Sequence, residues 1–176
     1  MANTTKNKAK ELFDKFGEFD SYEELNEAAE GQLKQGDYDA LKELAKENGI
    51  DPYDVEDYID GCIHELTTVF SAALGRLDVQ QEKIETIKNP IERSAYILIL
   101  TFTKDLCSGE DMARAVMRKG KRVKDVFDGM KSSASNHKNG NIGMSCGTDE
   151  QLRQIIRAYY LQNASEFKKT IEKLYE

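Results

Sequence analysis

The sequence predicts an all-α protein, a compact bundle of about nine or ten short to medium helices with one long flexible loop. Three observations support this fold class. Apolar residues recur three and four positions apart along most of the chain, which is the spacing of amphipathic helices. Glycines and helix-capping residues separate these stretches, and the connections between them are short. The 176 residues, 39% of them apolar, suffice for a hydrophobic core without disulfides or a metal.

Four short helices are predicted in the first 61 residues. They span residues 6–16, 21–36, 38–48 and 52–60, and each ends at or beside a glycine, a common C-cap. Ser21 followed by Glu24 forms a capping box. Asp37 and the pair Asp51-Pro52 provide two further N-caps, the second with proline at the first helical position. Short connections between such helices predict helical hairpins that fold on each other.

The middle of the chain predicts two longer helices. Apolar residues between 62 and 77 follow helical spacing, and Gly75 or Asp78 marks a place where this helix could break. Asn89-Pro90 begins the next helix, which covers residues 91–106. Part of this second run is rich in β-branched and aromatic residues and would also suit a buried strand. Its length and its flanking residues favour a helix, and because it is apolar on all sides we expect it at the centre of the bundle.

Four further helices are predicted in the last third of the chain. They begin near Ser108, Val123, Thr148 and Ser165. Ser108 with Asp111, and Thr148 with Gln151, have the spacing of N-terminal caps. Residues 132–147 are rich in Ser, Asn and Gly and have no periodicity, so they predict one long mobile loop.

Charge divides the chain into two parts. Residues 1–65 hold 7 Lys and no Arg against 18 acidic residues, a net charge of −11. Residues 66–176 hold 18 basic against 14 acidic residues, a net charge of +4. We therefore divide the chain into acidic helical hairpins over residues 1–61 and a helical bundle over residues 62–176 that carries a basic patch and the loop. The two parts are expected to pack as one compact unit.

The sequence favours a cytoplasmic protein that does not contact membranes. No apolar stretch follows the first residues, as it would in a secretory signal. The longest apolar run, Ala95–Leu100, is far shorter than the ~20 residues of a membrane span. Cys62, Cys107 and Cys146 are odd in number and widely spaced, which fits a reducing compartment.

The sequence contains no motif for catalysis, a metal or a cofactor. Cys62 and His64 lack the paired spacing of a zinc site and would point to different sides of a helix. The acidic residues 51–61 lack the register of a calcium-binding EF-hand loop. No nucleophile motif or phosphate-binding loop is apparent. We therefore expect a protein that binds a partner rather than an enzyme; an enzyme that uses Cys146 or His137 in the loop is a further alternative.

An acidic stripe forms the first candidate binding surface. It consists of Asp51, Asp54, Glu56, Asp57 and Asp60, and its aspartates recur every three residues. Carboxylates at this spacing lie along one side of a helix. The plainest interpretation is a solvated surface that favours solubility. The alternative is a surface complementary to a basic groove of a nucleic-acid-binding partner, whose approach it would steer.

A basic patch forms the second candidate surface. Residues 114–138 contain eight basic and two acidic residues, a net charge of +6. The candidate contacts for nucleic-acid phosphate are Arg114, Arg118, Lys119, Lys121, Arg122 and Lys124, and Lys131 and Lys138 extend the patch. Scattered, solvated surface charge is the ordinary interpretation. Phosphate binding by such a patch would depend on salt and would be largely independent of nucleotide sequence.

The first part of the chain, roughly residues 8–77, resembles a family of known proteins. The matching segments are ELFDKFGEFDSYEELN from Glu11, LKELAKENGID from Leu41 and DVEDYID from Asp54, and a shorter one, RAYYL, begins at Arg157. These segments resemble type II-A anti-CRISPR proteins from mobile elements of gut bacteria. Such proteins inhibit the single-protein RNA-guided DNA endonuclease by binding it.

The resemblance implies that the chain binds a guide-loaded CRISPR effector nuclease in the cytoplasm of a bacterial host cell and blocks target DNA recognition or cleavage. That nuclease holds guide and target in a positively charged channel. The acidic stripe would occupy the channel, and the basic patch would contact DNA or guide RNA. The alternative function is a nucleic-acid-binding accessory or regulatory protein of a phage or conjugative element, which would work through the basic patch alone.

Overall fold

The computed structural model describes residues 12–138 and 147–176. Within these ranges the chain forms nine α-helices and one short 3-10 helix, with no β-strand. The helices are α1 (Tyr22–Gln35), α2 (Tyr38–Glu47), α3 (Pro52–Ile59), α4 (Val69–Glu85), α5 (Pro90–Leu106), α6 (Glu110–Met117), α7 (Val123–Asn136), α8 (Asp149–Leu161) and α9 (Ala164–Glu172), followed by the 3-10 helix Lys173–Tyr175. The predicted all-α fold is confirmed. Among the described residues, no helix combines the length and the apolar character needed to span a membrane.

Side-chain caps fix where several helices begin. At the start of α1 the Ser21 hydroxyl accepts a hydrogen bond of 3.2 Å from the amide three residues further on. At α8, Thr148 and Gln151 form a capping box in which each side chain accepts from the other residue's amide, at 3.2 and 2.8 Å. Asp51 and Asn89 each cap a helix that has proline in its first turn. These caps satisfy amides that have no partner within the helix.

The fifth helix is a helix and not a strand, as its length and flanks predicted. Tyr96, Ile99 and Leu100 are buried in the core. Its other side is open to solvent, where Leu98 is 50% exposed and Ile91 is 81% exposed. The expectation that this helix lies enclosed at the centre of the bundle is therefore wrong, because its packing partners α4, α7 and α8 leave that side uncovered.

Two segments that were predicted as helix are irregular. Residues 12–16 form turns, and residues 6–11 of the same predicted helix lie outside the described residues. Residues 62–68 form bends and an extended stretch, so α4 begins one to two turns later than expected. The cause is a long-range contact in which the Asn26 side-chain amide bonds both the carbonyl and the amide of Thr67, at 2.9 and 3.1 Å. This contact holds the segment extended against α1.

Two expectations about helix breaks and starts are also wrong. The fourth helix runs through Gly75 and Asp78 without a break. The sixth helix has Gly109 as its N-cap residue, without a side-chain capping bond, so Ser108 does not cap it. In both cases the local conformational preference of the residue, for or against helix, is weak, and tertiary packing overrides it.

The predicted loop over residues 132–147 is wrong in its first part. The seventh helix continues to Asn136. Its Ser133 is buried and donates a hydrogen bond of 3.0 Å to Glu172 of α9, so packing on α9 favours helix in a serine-rich stretch. The remainder of the predicted loop, residues 139–146, lies outside the described residues.

One hydrophobic core contains residues from both parts of the chain. Leu25, Leu41 and Val55 from the first three helices are buried in the same cluster as Leu77 from α4 and Ile155 from α8. Burial of each such side chain contributes roughly 1.5–3 kcal/mol. The acidic helices are therefore anchored on the helices that carry the basic residues.

The turn after α2 crosses α4 with the two backbones in direct contact at glycines. A Cβ atom on Gly75 would lie 2.6 Å from the Asn48 carbonyl oxygen, and one on Gly49 would overlap the Gly75 carbonyl. Gly49 also has a φ of 69°, in the left-handed region that favours glycine. The two glycines therefore set how closely the α2–α3 hairpin approaches α4.

We expect Gly75→Ala to lower the free energy of unfolding by at least about 2 kcal/mol, because its methyl group would push α4 away from the turn. Gly31→Ala in α1 is the matched control. A Cβ atom there meets nothing within 4 Å, so helix propensity should raise the free energy of unfolding by about 0.5–1 kcal/mol. Urea unfolding followed by far-ultraviolet circular dichroism measures both, and a Gly75→Ala variant as stable as wild type would contradict the role of this contact.

Candidate functional site

The acidic stripe lies along the exposed side of α3. The helix begins there because the Asp51 carboxylate accepts a hydrogen bond of 2.9 Å from the Tyr53 amide and Pro52 suits the first turn. Val55 and Tyr58 are buried on the opposite side and attach the helix to the core. The helix thus presents its carboxylates from a fixed position.

Four of the five carboxylates of the stripe are without partners in the described part of the chain. Asp51 serves as the cap, whereas Asp54, Glu56, Asp57 and Asp60 show no hydrogen bond or ion pair with described residues; Asp54 is half-buried and the other three are exposed. Tyr53, 78% exposed, is a large aromatic side chain in the same helix. Exposed negative charge next to an aromatic ring is what a basic protein surface can bind.

The basic patch has a different environment, and its first member, Arg114, is bound to two carboxylates. The guanidinium donates to Glu23 and to Glu110, each at 2.8 Å, and lies 5.2 Å from the centre of the Tyr22 ring. These hydrogen bonds raise the pKa of Arg114 above its usual range, Glu23 contributing most. Arg114 is therefore a bridge between α6 and α1.

The turn between α6 and α7 is bound to the segment that precedes α1. The Lys119 amide donates to Asp20 at 2.9 Å, and its ammonium lies 3.9 Å from Glu24. The Gly120 amide donates to both carboxylate oxygens of Glu18 at 3.2 Å. Acidic residues from the start of the chain thus surround the turn on which the basic patch is centred.

Arg122 and Lys121 are also engaged within the protein. Arg122 forms a two-pronged ion pair with Glu18, with its second nitrogen at 2.7 Å from the carboxylate. The Lys121 ammonium donates to the Tyr159 carbonyl at 2.6 Å and lies over the ring of the same tyrosine. Burial and the neighbouring Arg118 lower the pKa of Lys121.

The rest of the basic patch is divided between paired and free residues. Lys124 pairs with Asp128 one turn further along α7, and Lys131 pairs with Glu92 at 3.3 Å. Arg118 and Lys138 are exposed and have no such partner among the described residues. The structure therefore leaves little of the predicted charge of +6 unopposed.

Arg76 of α4 lies beneath this cluster and was not predicted from the sequence. Its side chain is 1% exposed and contacts Glu18 at 3.3 Å, and it donates to the carbonyl oxygens of Phe19 and Met117. Burial lowers the pKa of Arg76 to about 10, against the opposing effect of Glu18. A single Arg within a helix gives no signal of burial, and its partner carboxylate lies 58 residues away.

Glu18 is the carboxylate shared by these two arginines. Its partial burial would raise its pKa, but hydrogen bonds from Arg122 and Gly120 and the charge of Arg76 outweigh that effect, so the pKa is lowered. Its side chain is 16% exposed. Glu18 therefore stays ionised and joins the segment before α1 to α4 and to the α6–α7 turn.

No metal-binding cluster of three or more His, Cys, Asp or Glu occurs in the described ranges. Cys107 is buried, which raises the pKa of its thiol to about 12 and makes it a small core residue. His137 lies 3.2 Å from Glu172 and stacks on the Tyr175 ring at 4.0 Å. Cys146 lies outside the described residues.

No protein-family model, no curated protein and no solved structure matches this chain. Family membership therefore assigns no role to any of these residues. Their function is inferred from the charges that the chain leaves exposed and from those that it pairs internally.

We expect Glu18→Gln to lower the free energy of unfolding at neutral pH by about 3 kcal/mol, because Arg76 would remain buried without its carboxylate. The lowered pKa means that Glu18 stabilises the fold above its ordinary pKa of 4.5 and that this contribution is lost as the pH falls through the folded-state value. Stability of the wild type should therefore fall more steeply with acidification than stability of the variant.

Urea unfolding at neutral pH and at about pH 3 tests this expectation. Glu82→Gln removes an exposed carboxylate of α4 that has no partner among the described residues, and it should change neither the stability nor its pH dependence. Identical pH profiles for wild type and Glu18→Gln would contradict the assigned role of Glu18.

Proposed function

We propose that this chain inhibits a type II CRISPR RNA-guided DNA endonuclease by binding it and blocking target DNA recognition or cleavage. One observation carries the proposal: four of the five carboxylates of the acidic stripe are unpaired among the described residues, and three of these four are exposed, whereas most of the basic patch is ion-paired within the protein. A protein with free negative charge suits a basic partner better than a nucleic acid. The resemblance of its N-terminal segments to anti-CRISPR proteins supplies the class of partner.

Such an inhibitor acts by competition. The nuclease holds its guide–target duplex in a positively charged channel and reads a short duplex motif with arginines. A helix that carries four unpaired carboxylates competes with phosphate groups for the same arginines and lysines. The buried Val55 and Tyr58 keep α3 in place. The inhibitor therefore loses no conformational entropy in ordering this helix when it binds. The site of action is then the cytoplasm of a bacterial host cell.

We expect the double substitution Asp54→Lys with Asp57→Lys to raise the inhibitor concentration needed for half-maximal inhibition of DNA cleavage by at least about tenfold, because like charges would face each other in the complex. The melting temperature should stay close to that of wild type, since both side chains lack partners in the described structure. A cleavage assay with guide-loaded nuclease and labelled target DNA measures the effect.

A matched control changes the same number of charges elsewhere. Glu82→Lys with Glu176→Lys alters α4 and the end of the chain, at two exposed carboxylates without described partners, and should inhibit like wild type. Full inhibition by the folded Asp54→Lys/Asp57→Lys variant would exclude the acidic stripe as the contact surface.

The second candidate is a nucleic-acid-binding accessory or regulatory protein of a phage or conjugative element. Arg118 and Lys138 favour it, because both are exposed and neither is paired in the described part of the chain. Mobility-shift titrations with free DNA at two salt concentrations separate the candidates. We expect no shift in the absence of nuclease; tight binding that weakens steeply with salt would favour the accessory protein instead.

A further inference from the structure

A polar cleft of about 320 Å³ lies between α1, α3 and the turn before α4. The residues that define its chemistry are Tyr22, Glu27, Glu30, Tyr58, His64 and Glu65. Asn26 fixes the shape of the cleft, because its hydrogen bonds to Thr67 hold the turn against α1. The cleft is separate from the outward-facing carboxylates of the acidic stripe, but it shares α3 with them.

The carboxylates of the cleft are only partly neutralised. Glu23, at the rim, is paired with Arg114, and Glu30 is paired with Lys34 of its own helix at 2.7 Å. Glu27 and Glu65 are exposed and have no ion-pair partner among the described residues. The cleft therefore contains net negative charge and unused hydrogen-bond acceptors.

Tyr58 supplies an unpartnered polar group inside the cleft. The residue is only 5% exposed, and its hydroxyl has no hydrogen-bond partner in the described structure. Burial is the main cause that raises the pKa of Tyr58, and the negative charges of Glu30 and Glu65 raise it further, against an opposing effect of Lys34. The hydroxyl is not one of the fully buried side-chain atoms that lack a partner in the described ranges, so it borders the solvent of the cleft and is free to bond a ligand there.

The rim of the cleft already binds one guanidinium. Arg114 lies 5.2 Å from the centre of the Tyr22 ring and donates to Glu23 at 2.8 Å. The rest of the lining offers the same kinds of group, the phenol of Tyr58 and the carboxylates of Glu27 and Glu65. The chain thus shows, with its own Arg114, which chemical group this arrangement accommodates.

We propose that the cleft receives an arginine side chain of the protein partner, between the Tyr58 hydroxyl and the carboxylates of Glu27 and Glu65. This inference rests on the proposed function, since it names how a basic partner is held. A guanidinium suits the cleft because it is planar and carries five donors for these acceptors. A metal ion suits it less, because the described residues contain no cluster of three ligands arranged for one.

The first test uses N-acetylarginine amide as the probe and the ¹⁵N-labelled full chain as the receptor. Backbone amide signals of Tyr58, Glu27 and Glu65 should shift in a saturable manner, and the neutral N-acetylglutamine amide should leave them unchanged. Tyr58→Phe, which keeps the ring and removes the hydroxyl, should weaken probe binding several-fold, as expected for loss of one hydrogen bond to a charged group. Cleft signals that do not respond to the arginine probe would overturn the proposal.

The second test measures the affinity of the guide-loaded nuclease. Glu27→Gln with Glu65→Gln should weaken binding by at least about tenfold, because two charge-assisted hydrogen bonds are lost. The control Glu82→Gln with Glu176→Gln removes the same number of charges outside the cleft and should bind like wild type. If wild type binds and the cleft variant binds equally well, the cleft assignment is wrong while the proposed function stands.

The two hypotheses fail separately. If the wild-type chain does not bind the nuclease, the proposed function is wrong. The titration with N-acetylarginine amide then tests by itself whether the cleft binds a guanidinium. Circular dichroism melting of each variant verifies that it is folded. Because Glu27 and Glu65 are exposed and unpaired among the described residues, their amide variants should melt within a few degrees of wild type.

Discussion

The arrangement of the helices depends on one buried guanidinium. Arg76 is almost completely removed from solvent, and burying a charge costs several kcal/mol unless partners compensate for it. Its partners come from distant parts of the chain: the Glu18 carboxylate and the Phe19 carbonyl before α1, and the Met117 carbonyl at the end of α6. The fold is therefore stable only when both of these segments meet at α4.

This constraint explains why the two oppositely charged parts of the sequence do not form two separate surfaces. Because Glu18 and the residues after it must reach Arg76, their carboxylates also lie beside α6 and the turn that follows it, where Arg114 and Arg122 bind them. Much of the opposite charge in the sequence is consequently used inside the molecule. Much of the negative charge of α3 stays exposed, and it lies on the hairpin that the glycine contact at Gly75 joins to α4.

Local features made much of the fold predictable, and long-range contacts account for the errors. Caps such as Ser21 and Thr148 act within one turn, so the sequence alone locates the helices that they begin. The bends before α4 depend on Asn26, 41 residues away from its partner Thr67, and the pairing of Arg122 with Glu18 spans 104 residues. No pattern within one sequence reports such pairings. The stripe on α3 was predictable as an exposed surface because its spacing and its cap are local, whereas the neutralisation of the basic patch was not.

Carboxylates in this protein have two roles. Those that are ion-paired within the chain stabilise the fold, and those that are unpaired are available to a binding partner. A carboxylate that holds a buried arginine, as Glu18 does, cannot bind a partner without destabilising the fold. A carboxylate such as Asp57, which has no hydrogen bond or ion pair with any described residue, contributes little to stability, so a partner can bind it at no cost to the fold. The cleft at Tyr58 lies between these extremes, since its walls are fixed by the core and its acceptors are free. Recognition of a basic partner is therefore expected where fixed geometry and unpaired charge coincide, along α3 and in the cleft beside it.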